Sequence, residues 1–196
     1  SNLGSLGKGS LIFVIGSDLH EEAPVWWLRV KKAAENGATL VVANPRSTRL
    51  DKFATLRIRY DYGNEVATLQ KLITEDEDLK LAVKEADNLV FMYGSEGMGL
   101  TASSGVADLL AGWLDKSGHK GKPNSGLIAV WQKGNDQGAW EIGFDTSDKL
   151  TEIISAAMGV YIAGADPASE DPELKIALQR AGFVIVQDLF LTETAK

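Results

Sequence analysis

Two short segments place a glycine and an aspartate where an apolar strand pattern gives way to a helical one. These segments are Gly16-Ser17-Asp18 and Gly164-Ala165-Asp166. Glycine lets the backbone turn sharply as a strand ends, and the following helix points N–H groups at the carboxyl ends of parallel strands, where α/β proteins bind ligands. Two such turns could hold the two halves of one long ligand. Any strand–helix–strand unit can use the same turn, so a purely structural role stays open.

The similarity of the two segments extends along the chain. Pro24 and Pro172 open the helical patterns after the turns, and Gly37 and Gly182 close them. Proline suits a first helical turn, and glycine suits the residue after a helix end. A second strand pattern follows each glycine. The sequence therefore contains two strand–turn–helix–strand units separated by other material.

A glycine-rich stretch, Gly94-Ser95-Glu96-Gly97-Met98-Gly99, lies between another strand and helix. It does not match G-x-G-x-x-G, and it lacks the Lys-Ser/Thr of a phosphate-binding P-loop. Glu96 would also repel a phosphate. A packing turn is therefore favoured over a nucleotide site.

The segment Asn44-Pro45-Arg46-Ser47-Thr48-Arg49 follows a strand and carries two arginines. Arg46 and Arg49 could bind a phosphate or carboxylate through paired hydrogen bonds. The alternative is a surface loop whose arginines pair with Asp51 or Asp61. The segment 134–138 (GNDQG) could likewise be a ligand-binding turn or an ordinary turn.

Residues for metal binding and nucleophilic catalysis are scarce. The sequence has no cysteine and only two histidines, His20 and His119, far apart along the chain. A disulfide framework and an iron–sulfur cluster held by this chain alone are therefore excluded, and a zinc site is disfavoured. No Ser/His/Asp or Cys/His set can be assembled, so neither a catalytic nor a metal-binding residue is predicted.

Strand and helix patterns alternate along the chain, which predicts a Rossmann-like, doubly wound, mostly parallel α/β sheet with helices on both faces. A helix should begin at Pro24. The predicted strands are Leu11–Ile15, Thr39–Ala43, Leu56–Tyr60 (at an edge), Leu89–Tyr93, Leu127–Trp131, Val160–Ala163 and Phe183–Gln187. The later predicted helices are Glu65–Ile73, Leu79–Ala86, Thr101–Leu114 and Pro172–Ala181. Of the adjacent Trp26 and Trp27, one should face the core and the other lie partly exposed or under a neighbouring domain.

The net charge of −7 disfavours nucleic acid and anionic membrane surfaces as partners, and no apolar run approaches a membrane span. Residues 1–9 are interpreted as a protease-cleavage scar or leader. Residues 10–196 are expected to form one α/β domain, with candidate sub-lobes 10–84 and 85–196. Both ends suggest an excised piece of a longer protein.

Residues 13–50 (FVIGSDLHEEAPVWWLRVKKAAENGATLVVANPRSTRL) and 161–195, which end in QDLFLTETA, resemble the molybdopterin oxidoreductase superfamily. The fold implied is that of a formate dehydrogenase or dimethyl sulfoxide reductase-like domain. Within it, Glu21-Glu22-Ala23-Pro24 is similar to the family of large peripheral-arm subunits of bacterial NADH-quinone oxidoreductase, the respiratory complex I. That family keeps the fold but binds no pterin there, and its iron–sulfur clusters lie in an amino-terminal part.

Departures from the pterin-binding pattern fit this resemblance. Ala23 stands where the superfamily usually has histidine, and Asn44 replaces the acidic residue expected to bind the guanosine ribose. Asp18-Leu19 replaces Asn-Pro, and an added carboxylate would repel a pyrophosphate. The resemblance therefore implies no bound cofactor. The candidates for a vestigial pocket are Gly16, Ser17, Asp18, Asn44, Arg46, Gly94, Gly164, Ala165 and Asp166.

The leading expectation is a cofactorless scaffold in that large complex I subunit, supporting electron transfer from NADH to quinone through iron–sulfur clusters located elsewhere. Its partners would be other domains of its own chain and other NADH dehydrogenase subunits, in the peripheral arm on the cytoplasmic side of the inner membrane. The alternative is the guanosine-side cofactor-binding domain of a formate-dehydrogenase-like molybdenum or tungsten enzyme. A third hypothesis is a generic Rossmann-like nucleotide module or the middle domain of a thiamine-diphosphate enzyme.

Overall fold

A computed structural model describes residues 3–96, 100–131, 134–144, 147 and 149–196. The chain divides into two compact units, residues 1–138 and 139–196. Each unit is described by itself.

The first unit is built on one five-stranded sheet in which every strand pair is parallel. The strand order is β3-β2-β1-β4-β5, so the first strand is central and β3 and β5 form the edges. This confirms the predicted parallel sheet and the edge position of the strand at Leu56. The strands are β1 (Ser10–Ile15), β2 (Thr39–Ala43), β3 (Leu56–Ile58), β4 (Asn88–Tyr93) and β5 (Gly126–Ala129).

Helices cover both faces of this sheet. Successive side chains of β1 point to opposite faces, and each set packs into its own apolar core. Phe13 and its neighbours on one face join a core that includes Leu69, Val83 and Leu110 from helices. Ile12 and Val14 on the other face join a core that includes Val30. The helices are α1 (Leu19–Glu22), α2 (Pro24–Glu35), α3 (Glu65–Glu75), α4 (Glu77–Glu85) and α5 (Leu100–Lys116), with short 3-10 turns at Leu3–Ser5 and Arg49–Lys52. The doubly wound α/β fold is confirmed.

The central strand is buried along its whole length, as expected for a parallel strand with helices on both sides. On one face, Phe13 meets Phe91 and Trp113 edge-on, with ring centroids 6.0 and 6.1 Å away. Phe91 and Trp113 stack at 5.3 Å. This aromatic group packs against the middle of the sheet.

Residues 3–9 belong to the fold. Leu3 and Leu6 are buried in the same apolar core as Ile12 and Val14. Leu3 and Leu6 therefore pack with the α/β unit that the sequence analysis began at residue 10. The candidate sub-lobes 10–84 and 85–196 also differ from the compact units, because β4 pairs with β1 across that boundary.

The second unit contains a two-stranded parallel sheet of β6 (Val160–Ala163) and β7 (Val184–Gln187). Ile154, Ala177 and Leu178 form its small core. From residue 136 onward the helices are α6 (Asp136–Glu141), α7 (Leu150–Ala156), α8 (Pro167–Glu170) and α9 (Pro172–Arg180). Of these, the sequence pattern predicts only α9. The supposed turn 134–138 in fact contains the start of α6.

Every helix in the described ranges is too short or too polar to span a bilayer.

Candidate functional site at the strand ends

The two predicted turns have the same backbone geometry. Gly16 follows β1 with φ 61°, and Gly164 follows β6 with φ 62°. The Gly16 N–H donates to Ala43 O at 3.1 Å, and the Gly164 N–H donates to Gln187 O at 2.9 Å. In each case the glycine is tied to the last residue of the neighbouring parallel strand. The positive φ explains why a glycine stands at both turns.

A four-residue helix, which the sequence pattern does not reveal, follows each turn and leads directly into the longer helix that begins with proline. These short helices are α1 and α8, headed by Asp18 and Asp166. The Asp18 side chain accepts from the His20 N–H at 3.2 Å, whereas the Asp166 side chain makes no such bond to its helix. The two units are therefore structural repeats, which we define as residues 10–46 (the first repeat) and 160–190 (the second repeat).

The repeats also share a turn after their second strand. Asn44 Oδ1 accepts from the Arg46 N–H at 3.3 Å, and Asp188 Oδ1 accepts from the Phe190 N–H at 3.1 Å. Such side-chain-to-backbone bonds two residues along the chain are characteristic of Asn and Asp in turns. The residue two positions beyond is an arginine in the first repeat and a phenylalanine in the second.

Arg46 lies at the centre of a polar cluster at the strand ends of the first repeat. Its Nη1 lies 3.0 Å from Asp18 Oδ2, and its Nε donates to Glu96 Oε1. The Asp18 and Glu96 side chains are only 8% and 17% exposed. The bond to Glu96, supported by the nearby charges of Glu96 and Asp18, raises the pKa of Arg46. The guanidinium is thus committed to two carboxylates of its own chain.

Asn44 is fully buried and completes the cluster. Its Nδ2 donates to Glu96 Oε2 at 3.1 Å while its Oδ1 holds the Arg46 N–H. Both ends of the amide are therefore occupied inside the protein. The side chain predicted to sit in place of a ribose-binding carboxylate serves here to hold Glu96 and Arg46.

Glu22 adds a third carboxylate, which the sequence pattern does not assign to the site. The Ser17 hydroxyl donates to Glu22 Oε2. Burial raises the pKa of Glu22, and the charges of Glu96 and Asp18 act in the same direction, while the Ser17 bond opposes them. Protonation of this carboxyl would relieve the crowding of negative charge around one arginine.

Gly94 is required by close packing of the turns. A Cβ at Gly94 would lie 2.5 Å from Gly16 O and 2.8 Å from Ser17 Cβ. The Glu96 N–H in turn donates to Gly16 O at 2.9 Å. The predicted packing turn is therefore confirmed for Gly94 and Glu96. Gly97, Met98 and Gly99 lie outside the described residues.

The turn of the second repeat is closed by residues near the end of the chain. Asp166 accepts bonds from the N–H groups of Glu193 and Thr194 at 3.3 and 2.9 Å, and from Thr194 Oγ1 at 2.7 Å. The Thr194 hydroxyl bond is the main reason why the pKa of Asp166 lies below its ordinary value. Ala165, the remaining candidate, is exposed.

Arg49 does not join the cluster. Its Nη1 lies 2.9 Å from His20 Nε2, and His20 Nδ1 lies 2.9 Å from Glu21 Oε1. Since arginine only donates, Nε2 must accept and Nδ1 must carry the proton. The predicted partner Asp51 instead pairs with Arg59.

His119 is also committed elsewhere. It is fully buried, with Nε2 2.7 Å from Ala86 O and Nδ1 2.9 Å from Ser117 Oγ. Across the described ranges, no group of three or more His, Cys, Asp or Glu side chains could hold a metal ion. Trp26 and Trp27 are both partly buried and both pack against the first unit's core, so the side chain expected to be partly exposed also contacts that core.

A phosphate-bearing ligand does not fit this arrangement. At the first turn it would meet Asp18, Glu22 and Glu96 together with one guanidinium already paired twice. At the second turn Asp166 adds another carboxylate, and the Ala168 N–H is already donated to Thr194 Oγ1 at 3.0 Å. Anion sites need cations or unpaired N–H groups. At either turn, binding of a nucleotide diphosphate through these side chains would require the network of that turn to open.

Comparison with known protein families gives a match along the whole chain. The family described as molybdopterin oxidoreductase matches residues 1–196. This match is more specific than the generic nucleotide module and the thiamine-diphosphate middle domain considered above.

Several curated relatives share about a quarter of their aligned residues with this chain. The F420-dependent formate dehydrogenase 1 subunit alpha of Methanococcus maripaludis is 25% identical, with 100% of this chain and 41% of that protein covered. The NADPH-Fe(3+) oxidoreductase subunit alpha of Geobacter sulfurreducens is 26% identical, with 100% and 32% covered. The assimilatory nitrate reductase catalytic subunit of Bacillus subtilis is 25% identical, with 95% and 38% covered. The chain thus spans well under half the length of these relatives.

Proposed function

Because the chain belongs to the molybdopterin oxidoreductase family, we propose that it is the guanosine-side α/β part of a redox enzyme polypeptide of the formate dehydrogenase type. The observation that supports this proposal is the match of 95–100% of this chain to parts of relatives named as formate dehydrogenase and nitrate reductase subunits. The proposal requires the Arg46 network at the first turn to open when the ligand binds. The reacting groups would then lie in parts of the polypeptide beyond this chain, which covers 41% of the first of these relatives.

A second candidate is the cofactorless scaffold of the large peripheral-arm subunit of an NADH-quinone oxidoreductase. The observation that favours it is the pairing of Arg46 with both Asp18 and Glu96 at the first turn. A diphosphate would have to compete with two carboxylates of the protein for the one cation there. In this candidate the iron–sulfur clusters lie elsewhere in the polypeptide, and the partners are neighbouring domains and other NADH dehydrogenase subunits of the peripheral arm, on the cytoplasmic side of the inner membrane.

The experiment that separates the two candidates is a count of metals and pterin in the whole parent polypeptide. It would be produced in a host that makes molybdenum cofactor, and oxidised pterin would be measured by fluorescence alongside molybdenum, tungsten and iron. Molybdenum or tungsten with pterin, together with formate- or nitrate-dependent dye reduction, supports the first candidate. Iron without molybdenum, tungsten or pterin overturns it and supports the scaffold.

A matched pair of variants would test the contribution of the first turn. Arg46→Ala removes the guanidinium from the polar cluster, whereas Arg29→Ala removes an arginine from the outer side of α2. If the first candidate holds and Arg46 reaches the cofactor, Arg46→Ala lowers the pterin content and Arg29→Ala does not. Equal pterin content in both variants would show that Arg46 does not contribute to cofactor binding.

A further inference from the structure

The second unit exposes one face of its two-stranded sheet. Partly buried and exposed residues alternate along β6 and β7, and the partly buried set packs against the small core of this unit. We call the exposed set, together with the residue directly before β7, the open face: Tyr161, Ala163, Phe183, Ile185 and Gln187. The Tyr161 hydroxyl donates to Gln187 Oε1. The open face therefore presents apolar surface and no charge.

The first repeat shows what covers an equivalent face. Gly16 and Gly164 end their strands with the same φ, so residues can be matched by counting back from them and following the strand pairing. Four residues of the open face correspond in this way to Phe13, Ile15, Val41 and Ala43. All four are buried in the core that receives side chains from α3, α4 and α5. Among the described residues of the second unit, no helices cover the matching face in this way.

The strand edges of the two repeats differ in the same sense. In the first repeat β2 also pairs with β3, and β1 also pairs with β4. In the described ranges β6 and β7 pair only with each other. Parallel sheets almost always have both faces covered, and a two-stranded sheet by itself is marginally stable. The second unit thus has the two central strands of the first unit's architecture without the flanking strands and their helices.

The relatives contain enough additional chain to supply such elements. In the first unit, β3 and the helix that follows it, α3, lie within residues 56–75. This chain covers 41% of the Methanococcus maripaludis formate dehydrogenase subunit, and the alignment spans 275 positions although this chain has 196 residues. That relative therefore has further residues both within and beyond the matched stretch. One strand and one helix would need only a small part of them.

The charge of the second unit disfavours a second copy of this chain as the cover. Residues 139–196 contain ten Asp and Glu but four Lys and Arg, so this unit carries most of the net charge of −7. Asp188, directly after β7, accepts from the Phe190 N–H and forms no ion pair among the described residues. Two such units facing each other would repel, whereas a segment with a lysine or arginine near Asp188 would be attracted.

We propose that the open face and the outer edge of β7 form a docking surface for a strand-and-helix segment of the parent polypeptide. The strand pairs parallel to β7, as β3 pairs with β2. The helix packs apolar side chains on Tyr161, Phe183 and Ile185, and a basic residue of the segment lies near Asp188. This surface rests on the proposed function only in requiring a longer parent polypeptide, and it is the same with or without a bound pterin.

The test compares hydroxyl-radical labelling of the 196-residue chain with that of the parent polypeptide. In the chain, Tyr161 and Phe183 should label strongly because both are exposed. In the parent, labelling of Phe183 should fall to that of the buried Phe13, and labelling of Tyr161 to that of the buried Tyr60. Unchanged labelling in the parent would overturn the proposal. Protection already present in the 196-residue chain would also overturn it, with sedimentation showing whether a second copy is the cover.

A matched pair of isoleucines assigns the protection to the open face. Ile185 and Ile176 are 49% and 50% exposed, but Ile176 lies on α9. Amide hydrogen exchange of β7 should be at least about tenfold slower in the parent than in the chain, because an added strand pairs the outer N–H groups. In the parent, Ile185→Asp should restore the fast exchange and Ile176→Asp should leave it slow. Equally slow exchange in both variants would refute the surface.

The count of metals and pterin decides the proposed function separately. A parent polypeptide without pterin in which Tyr161 and Phe183 are protected would keep this surface and reject the formate dehydrogenase type. A pterin-loaded parent in which both side chains label as in the 196-residue chain would keep the proposed function and reject the surface.

Discussion

The two repeats have the same backbone design but differ in burial. Gly16 and Gly164 turn with the same φ and bond to equivalent residues of the neighbouring strand. The first repeat, however, contributes to a five-stranded sheet covered on both faces, whereas the second contributes both strands of a two-stranded sheet. In β6 and β7 partly buried and exposed residues alternate, and no residue of β1 is exposed. The same local motif therefore occurs both in a sheet whose central strand is fully buried and in a sheet whose strands have exposed residues.

The exposed face of the second repeat is apolar. Tyr161 is 62% exposed, Ile185 49% and Phe183 60%. Parallel sheets in proteins are almost always covered on both faces, and two strands alone are marginally stable. We therefore expect the second repeat to be the less stable of the two.

The charges at the two turns differ as well. In the first repeat Arg46 neutralises two carboxylates, and at the equivalent position of the second repeat stands Phe190, which is 77% exposed. Asp166 instead relies on hydrogen bonds from Glu193 and Thr194. One repeat stabilises its aspartate with an ion pair and the other with neutral donors. Substitutions at matched positions of the two repeats test this contrast.

The largest difference is expected from matched aromatic residues in the first strands. Phe13→Ala should lower the free energy of unfolding by about 4 kcal/mol, because Phe13 is fully buried and contacts Phe91 and Trp113. Tyr161→Ala, at the equivalent exposed position, should cost less than about 1 kcal/mol. Urea unfolding followed by circular dichroism measures both. Similar losses in the two variants would mean that the second sheet is as well covered as the first.

Two glycine substitutions should show the different space around the two turns: Gly94 packs against the first turn from the end of β4, and Gly164 forms the second turn. Gly94→Ala should destabilise the first unit by about 3 kcal/mol, since its Cβ would meet the backbone oxygen of Gly16. Gly164→Ala meets nothing within 4 Å and costs only the strain of a positive φ, about 1 kcal/mol. Hydrogen exchange of the whole chain, resolved by peptide, measures each unit separately. A larger loss for Gly164→Ala would reveal packing around the second turn.

Removal of Arg46 should have an intermediate effect. Arg46→Ala leaves Asp18 and Glu96, both largely buried, without their cation, and should cost about 2 kcal/mol since Arg46 itself is half exposed. Phe190→Ala, at the equivalent position, should change stability by less than about 0.5 kcal/mol. The free energy of unfolding at neutral pH is the measurement. If Arg46→Ala is neutral, the cluster is a solvated surface network.

The smallest effects concern pH and have opposite signs in the two repeats. The folded-state pKa of Glu22 is raised above its ordinary value of 4.5, so its contribution favours folding at low pH and is lost as the pH rises through the raised value. The folded-state pKa of Asp166 is lowered below its ordinary value of 3.8, so its contribution is present above that value and is lost as the pH falls through the lowered one. Carboxyl NMR titrations of the whole chain should show these two directions.

Amide substitutions provide the check on these titrations. Glu22→Gln should stabilise the chain slightly at neutral pH, by roughly a few tenths of a kcal/mol, because the Ser17 hydroxyl keeps an acceptor and the charge crowding falls. Asp166→Asn should weaken the bonds to Thr194 and destabilise the second unit. A Glu22→Gln variant that is less stable at neutral pH would show that the ionised carboxylate is needed.

Much of the fold was predictable because its signals are local. Apolar runs located the strands β1 to β7 of the described residues to within a few residues, and Pro24, Gly37 and Pro172 marked helix ends. The missed helices α1, α6, α7 and α8 have at most seven residues each. Such short segments leave little room for a periodic pattern and depend on tertiary contacts for their stability. The burial of Leu3 and Leu6 was missed for the same reason, since two leucines in a short leader have no periodicity.

The sequence predicted which residues lie at the candidate site but not which of them contact one another. The sequence by itself determined that Gly16, Asp18, Asn44, Arg46 and Gly94 lie at strand ends, because each follows an apolar run within a few residues. It could not show that Arg46 joins Asp18 to Glu96, since these residues come from three separate strand ends that only the sheet order brings together. Nor did it indicate Glu22 as a third carboxylate. Periodicity decides which residues form strands and helices, whereas charge pairing and burial depend on distances across the chain that exist only once the sheet has formed.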